Sequence, residues 1–345
     1  METIDLRSDT VTHPTPAMRQ AMANAVVGDD VYGEDPTVNR LQEMAAERMG
    51  KQAGLFVASG TMGNLTAILS HCQRGDEVML GNRAHTFLFE AGGISALGGI
   101  HSCQLPNQPD GSLALDDLQA ALRPDDPHDP ISRLICLENT HNRCGGTFQS
   151  VEYTRRVSDF AHARGLKVHL DGARIFNAAV AQGIDAKELA GPVDSVTFCL
   201  SKALCAPVGS VLCGTKEFVA RAVRVRKMLG GGMRQAGILA AAGIVALETM
   251  VERLGEDHAR ARRLADGLRG VPGLVLEPDT PATNMIFVSL AADIKSTAAQ
   301  VTESLKRQGV LVGSTSERQF RLVVHYWIDD KAVQKAVSTF QHVLQ

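Results

Sequence analysis

The stretch that decides the fold reads V-H-L-D-G-A-R-I-F-N at 168–177 and D-S-V-T-F-C-L-S-K-A-L-C-A-P-V-G at 194–209. Its two short apolar runs, Val168–Leu170 and Ser195–Leu200, are typical of buried parallel strands. The first run ends in Asp171 and the second in Ser201 and Lys202. An acid and a lysine at the carboxyl ends of two strands of one open α/β sheet face the same crevice.

That pair of side chains has two interpretations. Pyridoxal phosphate (PLP) needs a lysine amine for a Schiff base and a carboxylate against its pyridine nitrogen. The chain between Asp171 and Lys202 has room for one crossover helix and one strand, as that site requires. Alternatively, the two residues are ordinary surface charges at strand ends. The rest of the chain has to decide between these interpretations.

The composition is that of an ordinary globular protein. The 345 residues are 44% hydrophobic and 21% charged, with a formal net charge of −3 and no long block of like sign. The length predicts roughly two domains. Neither a nucleic-acid partner nor an anionic membrane surface is expected from this charge pattern.

The cysteines and the termini predict a cytoplasmic location. Seven cysteines is an odd number and none forms C-x-x-C, and Cys199, Cys205 and Cys213 are expected to be buried thiols in a reducing compartment. The first ten residues are acidic and polar, unlike a signal peptide. No apolar run approaches the ~18 residues of a membrane span.

A short strand at 55–58 leads into S-G-T-M-G-N and then a helix. A strand, a glycine-containing turn and a helix N-terminus form an anion site, to which Ser59 and Thr61 add hydroxyls. The motif is neither a P-loop nor G-x-G-x-x-G. A plain turn with a hydroxyl N-cap is the equally good alternative.

Histidines need separate interpretation. His85 and Glu90 lie on a passage from loop to helix after a strand at 78–80. A lone histidine is more often a hydrogen-bonded structural residue than a catalyst, although its pKa suits proton transfer. His128 sits in D-D-P-H-D-P, which favours an exposed surface loop.

The order of elements predicts an α/β fold with a mostly parallel central sheet and flanking helices. The expected divisions are an N-terminal arm at 1–15, a large domain at 16–252 and a small C-terminal α/β domain at 253–345. Two arginines stand out: Arg234 follows three glycines, which suits close approach to an anion. Arg321 lies on an alternating strand, where it captures a carboxylate or forms a rim salt bridge.

Taken in this order, the motifs resemble PLP enzymes of the aspartate-aminotransferase fold type, and more closely the low-specificity L-threonine aldolases. The matching stretches cover essentially the whole chain. They are D-L-R-S-D-T-V-T at 5–12, V-G-D-D-V-Y-G-E-D-P-T at 27–37, S-G-T-M-G-N at 59–64, A-H-T-F-L-F-E-A-G-G at 84–93, L-E-N-T-H-N at 137–142, H-L-D-G-A-R-I-F-N at 169–177 and K-M-L-G-G-G-M-R-Q-A-G-I-L-A at 227–240.

The resemblance implies a role for each matched residue. Lys202 would carry PLP, Asp171 would pair with the pyridine nitrogen, and His85 would stack on the ring and transfer protons. The remaining cofactor contacts implied are Ser59, Gly60 and Thr61 at the phosphate, with Arg174, Ser201, Lys227 and Arg234. The implied substrate contacts are Ser8, Tyr32, His85, His128, Arg174 and Arg321, with Glu90 supporting near the substrate hydroxyl. No metal site is implied.

The same resemblance implies the activity and the assembly. The reaction is retro-aldol cleavage of L-threonine and L-allo-threonine to glycine and acetaldehyde. Tyr32, Lys227 and Arg234 would reach the site of a neighbouring subunit, so the resemblance implies a homodimer with shared active sites and a tetramer built from it.

Two segments depart from the family pattern. Ala203 and Cys205 replace two glycines in the turn that follows Lys202, and a side chain at positive φ costs ~1–2 kcal/mol. After E-N-T-H the chain reads N-R-C-G-G-T-F-Q, so the loop beside the substrate is expected to have its own shape.

Three other functions remain open from the sequence. Another reaction at the same site, such as hydroxymethyl transfer from serine or β-elimination, would use the same residues. A PLP-binding homologue without activity is a second alternative, motivated by Ala203 and Cys205. A nucleotide-binding dehydrogenase is the third, but it lacks G-x-G-x-x-G and an acid at the expected offset.

Overall fold

The computed structural model describes residues 3–345. Its strands are β1 (Ile4–Asp5), β2 (Ala53–Val57), β3 (Asp76–Gly81), β4 (His101–Leu105), β5 (Ile131–Glu138), β6 (Lys167–Asp171), β7 (Ser195–Cys199), β8 (Ser210–Gly214), β9 (Leu274–Leu276), β10 (Met285–Leu290), β11 (Val310–Leu311), β12 (Gly313–Ser314) and β13 (Gln319–Val323).

The α-helices alternate with these strands through most of the chain. They are α1 (Pro16–Ala23), α2 (Pro36–Met49), α3 (Gly60–His71), α4 (His85–Leu88), α5 (Gly93–Ala96), α6 (Leu115–Ala121), α7 (Val151–His162), α8 (Ile175–Gln182), α9 (Ala186–Ala190), α10 (Lys216–Met228), α11 (Gly237–Thr249), α12 (Leu254–Arg269), α13 (Ala298–Arg307) and α14 (Asp330–Leu344). Short 3-10 turns at Asp9–Val11, Asp30–Tyr32 and Asn142–Cys144 complete the elements.

Seven strands form the central sheet in the order β2-β8-β7-β6-β5-β3-β4. Neighbouring strands are parallel from β7 through β4, whereas β8 runs antiparallel to both β2 and β7. The mostly parallel α/β sheet predicted from the sequence is therefore confirmed. The strand after Lys202, β8, lies inside the sheet between two antiparallel neighbours.

Burial explains why the central strands are apolar runs. Every residue of β7 and β8 is buried, because helices cover both faces of the sheet. The predicted thiols Cys199, Cys205 and Cys213 are buried in this core. All seven cysteines are free, and across residues 3–345 no helix is long and apolar enough to cross a membrane.

Helix starts follow the expected capping chemistry. Asp35 accepts hydrogen bonds from the backbone N–H groups of Thr37 and Val38, and Pro36 takes the first helical position of α2. Ser59 caps α3 and Ser150 caps α7 in the same way. These caps fix where α3 begins, and α3 is the helix that points its N-terminus at the site.

A second sheet, β12-β13-β10-β9, encloses a separate apolar cluster with α12, α13 and α14. The predicted division at 252–253 lies in the turn between α11 and α12. The short strand β11 does not join this sheet. It pairs in parallel with β1, and the arm residues Ile4 and Leu6 are buried in the second cluster.

Candidate active site

The carboxyl edge of the central sheet brings the predicted groups together. Asp171 ends β6 and lies opposite Glu138 on β5 and opposite Thr197 on β7. Lys202 follows β7 by one short turn. The topology thus places the acid and the lysine at adjacent strand ends, as the sequence predicted.

The turn that carries Lys202 keeps its hydrogen bonds despite its departure from the family pattern. Cys205 has a φ of +64°, in the region that favours glycine, and its N–H donates to the carbonyl of Lys202 at 2.9 Å. Thr12 donates its hydroxyl to the same carbonyl at 2.8 Å. Across residues 3–345 only Ala91 and Cys205 are non-glycine residues at positive φ, so Ala203 carries no such strain.

Asp171 is a buried carboxylate with room for one more donor. Its Oδ1 accepts the N–H of Ala173 at 3.0 Å and its Oδ2 accepts Nδ2 of Asn64 at 2.9 Å. Asn64 is a site residue that sequence reasoning missed. Its signal was its place on α3, one helical turn after Gly60 in the S-G-T-M-G-N motif.

His85 begins α4 and is held from two sides. Its backbone N–H donates to Oε2 of Glu138 at 2.7 Å, and its Nδ1 contacts Oε1 of Glu90 at 2.9 Å. Burial lowers the pKa of His85, but the hydrogen bond to Glu90 and the charge of Asp171 outweigh it, so the pKa is raised. Burial also raises the pKa of the Glu90 carboxyl, against the hydrogen bond from His85.

His85, Glu90 and Asp171 also place ligand atoms within 4.8 Å of one another, a spacing that a metal ion could use. Nδ2 of Asn64, however, donates to both Glu90 and Asp171 at 2.9 Å. Each N–H takes one lone pair of one carboxylate oxygen, so these hydrogen bonds already order both acids without a metal ion.

The N-terminus of α3 points at the same crevice. Ser59 caps the helix, with its hydroxyl oxygen accepting the N–H of Met62 at 3.1 Å. A Cβ at Gly60 would come within 2.9 Å of Sγ of Cys199, so only glycine lets the helix start so close to the sheet. Free backbone N–H groups and the helix dipole make this end suitable for a phosphate.

Arg174 is oriented by Asp9 from the N-terminal arm. Its Nε donates to Oδ2 at 2.7 Å and its Nη2 donates to Oδ1 at 2.6 Å, in a pair that is almost fully buried. Asp9 is a second residue that the sequence prediction missed. Two of the guanidinium donors are engaged, which leaves Nη1 for a ligand.

Arg321 differs from Arg174 because its charge has no acidic partner within residues 3–345. Its Nη1 donates to Oδ1 of Asn142 at 2.7 Å and its Nη2 to the carbonyl of Arg7 at 3.2 Å, while its buried Nε has no partner. Burial and the nearby charges of Arg174 and Arg143 lower the pKa of Arg321. A cation so placed is suited to binding an anion.

Four predicted site residues lie outside this cluster. His128 is 91% exposed beside Asp126, at the start of β5, whose far end carries Glu138. At about 3.3 Å per residue, β5 separates His128 from the site edge by roughly 25 Å. His128 therefore lies far from the site of its own chain, and its predicted place near the substrate hydroxyl stays a prediction that a second copy would have to satisfy.

Tyr32, Lys227 and Arg234 lie at the surface. Tyr32 is 74% exposed, and Arg234 forms an exposed ion pair with Asp29 at 2.9 Å. The glycine loop before Arg234 packs against Met62 in the first turn of α3, since a Cβ at Gly231 would overlap its sulfur. Their predicted contribution to a neighbouring subunit stays a prediction.

Comparison with known proteins agrees with this geometry. The family model described as beta-eliminating lyase matches residues 5–292. The chain is 47% identical to low-specificity L-threonine aldolase 1 of Arabidopsis thaliana, over 100% of this chain and 97% of the relative. It is 49% identical to the low specificity L-threonine aldolase of Escherichia coli strain K12, over 93% of each.

Solved structures establish the fold. The threonine aldolase of Leishmania major superposes with a TM-score of 0.84 at 21% identity, over 99% of this chain and 100% of the other. The serine palmitoyltransferase of Sphingomonas wittichii superposes with a TM-score of 0.77 at 18% identity, over 99% of this chain and 87% of the other. The architecture is that of the fold type I PLP enzymes.

With the family model and the two relatives in agreement, the chain belongs to the beta-eliminating lyase family, in its group of low-specificity L-threonine aldolases.

Proposed function

We propose that this protein is a PLP-dependent lyase that cleaves L-threonine and L-allo-threonine to glycine and acetaldehyde. The observation that carries the proposal is one crevice containing Lys202, a buried acid and an unpaired Arg321. A lysine and an acid suit the cofactor, and the arginine suits the carboxylate of an amino acid. The family relationship supports the same reaction.

The residues present fit PLP. Asp171 offers a buried oxygen to the ring nitrogen, Ser59, Gly60 and Thr61 offer donors to the phosphate, and Lys202 offers its amine for the Schiff base, with Ser201 beside it. When bound, PLP accepts the electrons of the bond that breaks at the substrate Cα. The buried Asp171 carboxylate would favour the protonated form of the ring nitrogen of bound PLP.

Two arginines orient the substrate. Arg321 supplies a charge without an acidic partner, and Arg174 supplies its remaining Nη1 donor, held in direction by Asp9. Ser8 lies on the arm segment next to Asp9 and adds a hydroxyl. A carboxylate held by these groups fixes the rotation about the Cα bonds, so the Cα–Cβ bond can be set perpendicular to the cofactor plane.

His85 is the candidate base. Its Nδ1 is hydrogen-bonded to Glu90. Its Nε2 is therefore the nitrogen available to take the proton of the substrate β-hydroxyl, directly or through water. Glu90 fixes the ring orientation and stabilises the proton once it is taken. His128 remains a second candidate only if another subunit supplies it.

A homodimer with shared sites, and a tetramer built from it, complete the proposal. Apolar residues Val31, Val223 and Met228 are 40–71% exposed and line one groove of about 630 Å³ that also contains Lys227. An exposed apolar groove with a cation at its rim suits a second copy that brings Lys227, Arg234 and Tyr32 near a phosphate.

The test is retro-aldol turnover with the four threonine diastereomers. Purified protein should be yellow and should release acetaldehyde from L-threonine and L-allo-threonine. Lys202→Ala should lose both the colour and the turnover, whereas Lys306→Ala, an exposed lysine on α13, should keep them. Full activity of Lys202→Ala, or activity confined to the D-isomers, would overturn the proposal.

A second candidate is β-elimination at the same site, which the description of the matching family favours. Its mark would be pyruvate and ammonia from L-serine at a rate comparable with acetaldehyde from L-threonine. We expect the aldol cleavage to dominate, because both relatives are named as threonine aldolases and this chain matches nearly their whole length.

A further inference from the structure

Two buried histidines lie behind the site and take no part in the chemistry above. His169, on β6, is fully buried, and His71, at the end of α3, is half-buried. Buried polar side chains are costly unless their hydrogen bonds are satisfied. Both rings satisfy this need through the same residue, Ser195 on β7.

The contacts form one continuous chain. Nε2 of His71 lies 2.8 Å from Oγ of Ser195, and that hydroxyl lies 2.9 Å from Nδ1 of His169. Nε2 of His169 lies 3.2 Å from Oδ1 of Asn64. Nδ2 of Asn64 then reaches Asp171 and Glu90, each at 2.9 Å.

Only one assignment of donors and acceptors is consistent along this row of hydrogen bonds. Nδ2 of Asn64 faces two carboxylates, so the amide must present its nitrogen there and its oxygen to His169; the reverse placement would set an amide oxygen against both acids. Nε2 of His169 must then carry the proton. Burial lowers the pKa of His169 to about 4 and that of His71 to about 3, so each ring carries a single proton.

The remaining donors follow from that assignment. Nδ1 of His169 carries no proton, so it accepts the hydroxyl hydrogen of Ser195. The same hydroxyl oxygen accepts the N–H of His71. The hydrogen bonds then all run in one direction, from His71 to the two acids.

Strand geometry explains why these residues meet. His169 lies directly opposite Ser195, and Asp171 directly opposite Thr197. Side chains two residues apart on a strand point to the same face, so His169 and Asp171 both face α3. The row of hydrogen bonds begins on α3 at His71, crosses the two strands and returns to α3 at Asn64. It therefore connects the helix proposed to bind phosphate to the two strands of the site.

We infer that His71, Ser195 and His169 are positioning residues for the cofactor: their hydrogen bonds lock the amide of Asn64, which holds Asp171 and Glu90 in place. The inference rests on the proposed use of PLP. It assigns no chemistry to the histidines, since neither touches substrate or cofactor; they act through Asn64.

The first test compares two buried serines in the holoenzyme. Ser195→Ala breaks the chain, whereas Ser158→Ala removes a buried hydroxyl on α7 that has no partner. Ser195→Ala removes both hydrogen bonds of this hydroxyl, and loss of a hydrogen bond changes equilibria and rates by about twofold to tenfold. We therefore expect PLP to dissociate about that much faster from Ser195→Ala, and its circular dichroism band to weaken.

In steady-state assays, Ser195→Ala should lower kcat and leave KM for L-threonine nearly unchanged, because Arg321 and Arg174 are untouched. Ser158→Ala should match the parent protein in every one of these measurements. Equal PLP release, equal cofactor dichroism and equal kcat in both variants would overturn the inference.

The second test asks for the direction of the hydrogen bonds. In His169→Gln the amide can still donate to Asn64 and accept from Ser195, whereas His169→Leu can do neither. We expect His169→Gln to keep most of the cofactor dichroism and His169→Leu to lose it. Equal loss in both would refute positioning through hydrogen bonds.

Failure of this inference is distinguishable from failure of the proposed function. If the parent protein releases no acetaldehyde but binds PLP, the dichroism and release measurements still decide the role of Ser195 and His169. If Ser195→Ala behaves like Ser158→Ala in an active enzyme, only the positioning role falls.

Discussion

The carboxylate of Asp9 meets the guanidinium of Arg174 through two parallel hydrogen bonds of 2.7 and 2.6 Å, in a pair that solvent scarcely reaches. Arg321 lies close enough to repel Arg174. Asp9 is therefore the counterion of a small cationic cluster, which we propose a ligand carboxylate completes.

Asp9→Asn should be strongly destabilising, because it leaves the buried Arg174 without a counterion beside the half-buried Arg321. Breaking a buried pair from one side costs about 3–5 kcal/mol. Chemical denaturation should show this loss, and Asp266→Asn in the exposed pair with Arg269 should show almost none.

Addition of glycine, the expected product, provides a second test of Asp9→Asn. Its carboxylate replaces part of the missing charge, so it should raise the melting temperature of Asp9→Asn more than that of the parent protein. An equal rise in both proteins would contradict the cationic cluster as the carboxylate site.

Cys205 should respond to substitution in a way that reveals its backbone strain. Cys205→Ala keeps a side chain at φ +64°, whereas Cys205→Gly removes the strain, so the glycine variant should be the more stable of the two by about 1 kcal/mol. At Ala203, where φ is not positive, glycine should instead destabilise by about 0.4–1 kcal/mol. Urea denaturation of the three variants decides, and the same sign at both positions would contradict the assignment of strain.

Glu90→Gln should move the acidic limb of the pH profile of kcat/KM to lower pH. Glu90 and Asp171 raise the pKa of His85 above 6.5, against burial and the charge of Lys202. The stabilising interaction of these two acids with the protonated His85 ring is therefore fully present below pH 6.5, and it is lost as the pH rises through the raised pKa of His85. In Glu90→Gln the neutral amide lowers the pKa of His85, so the ring remains an unprotonated base down to a lower pH. Glu303→Gln, on an exposed face of α13, is the control; an unchanged limb in Glu90→Gln would exclude His85 as the group observed.

Met228→Glu should weaken self-association, because it puts a charge into the apolar groove that it lines with Val31 and Val223. Sedimentation velocity should show a smaller species than for the parent protein. Val275→Glu, at an exposed position on β9, should leave the assembly intact. A monomeric parent protein in the same experiment would contradict the proposed dimer.

Much of the central fold follows from the sequence alone. Largely apolar runs such as Ser195–Cys199 identify buried parallel strands, and a hydroxyl N-cap at Ser59 correctly marks the start of α3. These features are local, so a single window of sequence contains the whole signal. The meeting of Asp171 and Lys202 follows from them, since the ends of neighbouring parallel strands share an edge.

Local sequence patterns do not predict contacts between residues that lie far apart in the sequence. Asp9 and Arg174, Asn64 and His169, and Thr12 and Lys202 are each joined only by the tertiary fold. The same limit applies to His128. Its resemblance to a site histidine is a property of the sequence, whereas its place in the fold depends on the end of β5 that it precedes.

The pairing of β1 with β11 has a consequence for synthesis. Ile4 lies beside Val310, and Thr12 in the same arm holds the carbonyl of Lys202. During translation the arm emerges first, yet its strand partner is among the last segments to leave the ribosome. The central sheet can fold early, but the lysine turn acquires its final support only when the chain is nearly complete. A nascent or C-terminally truncated chain would therefore be a folded scaffold with an unfinished active site.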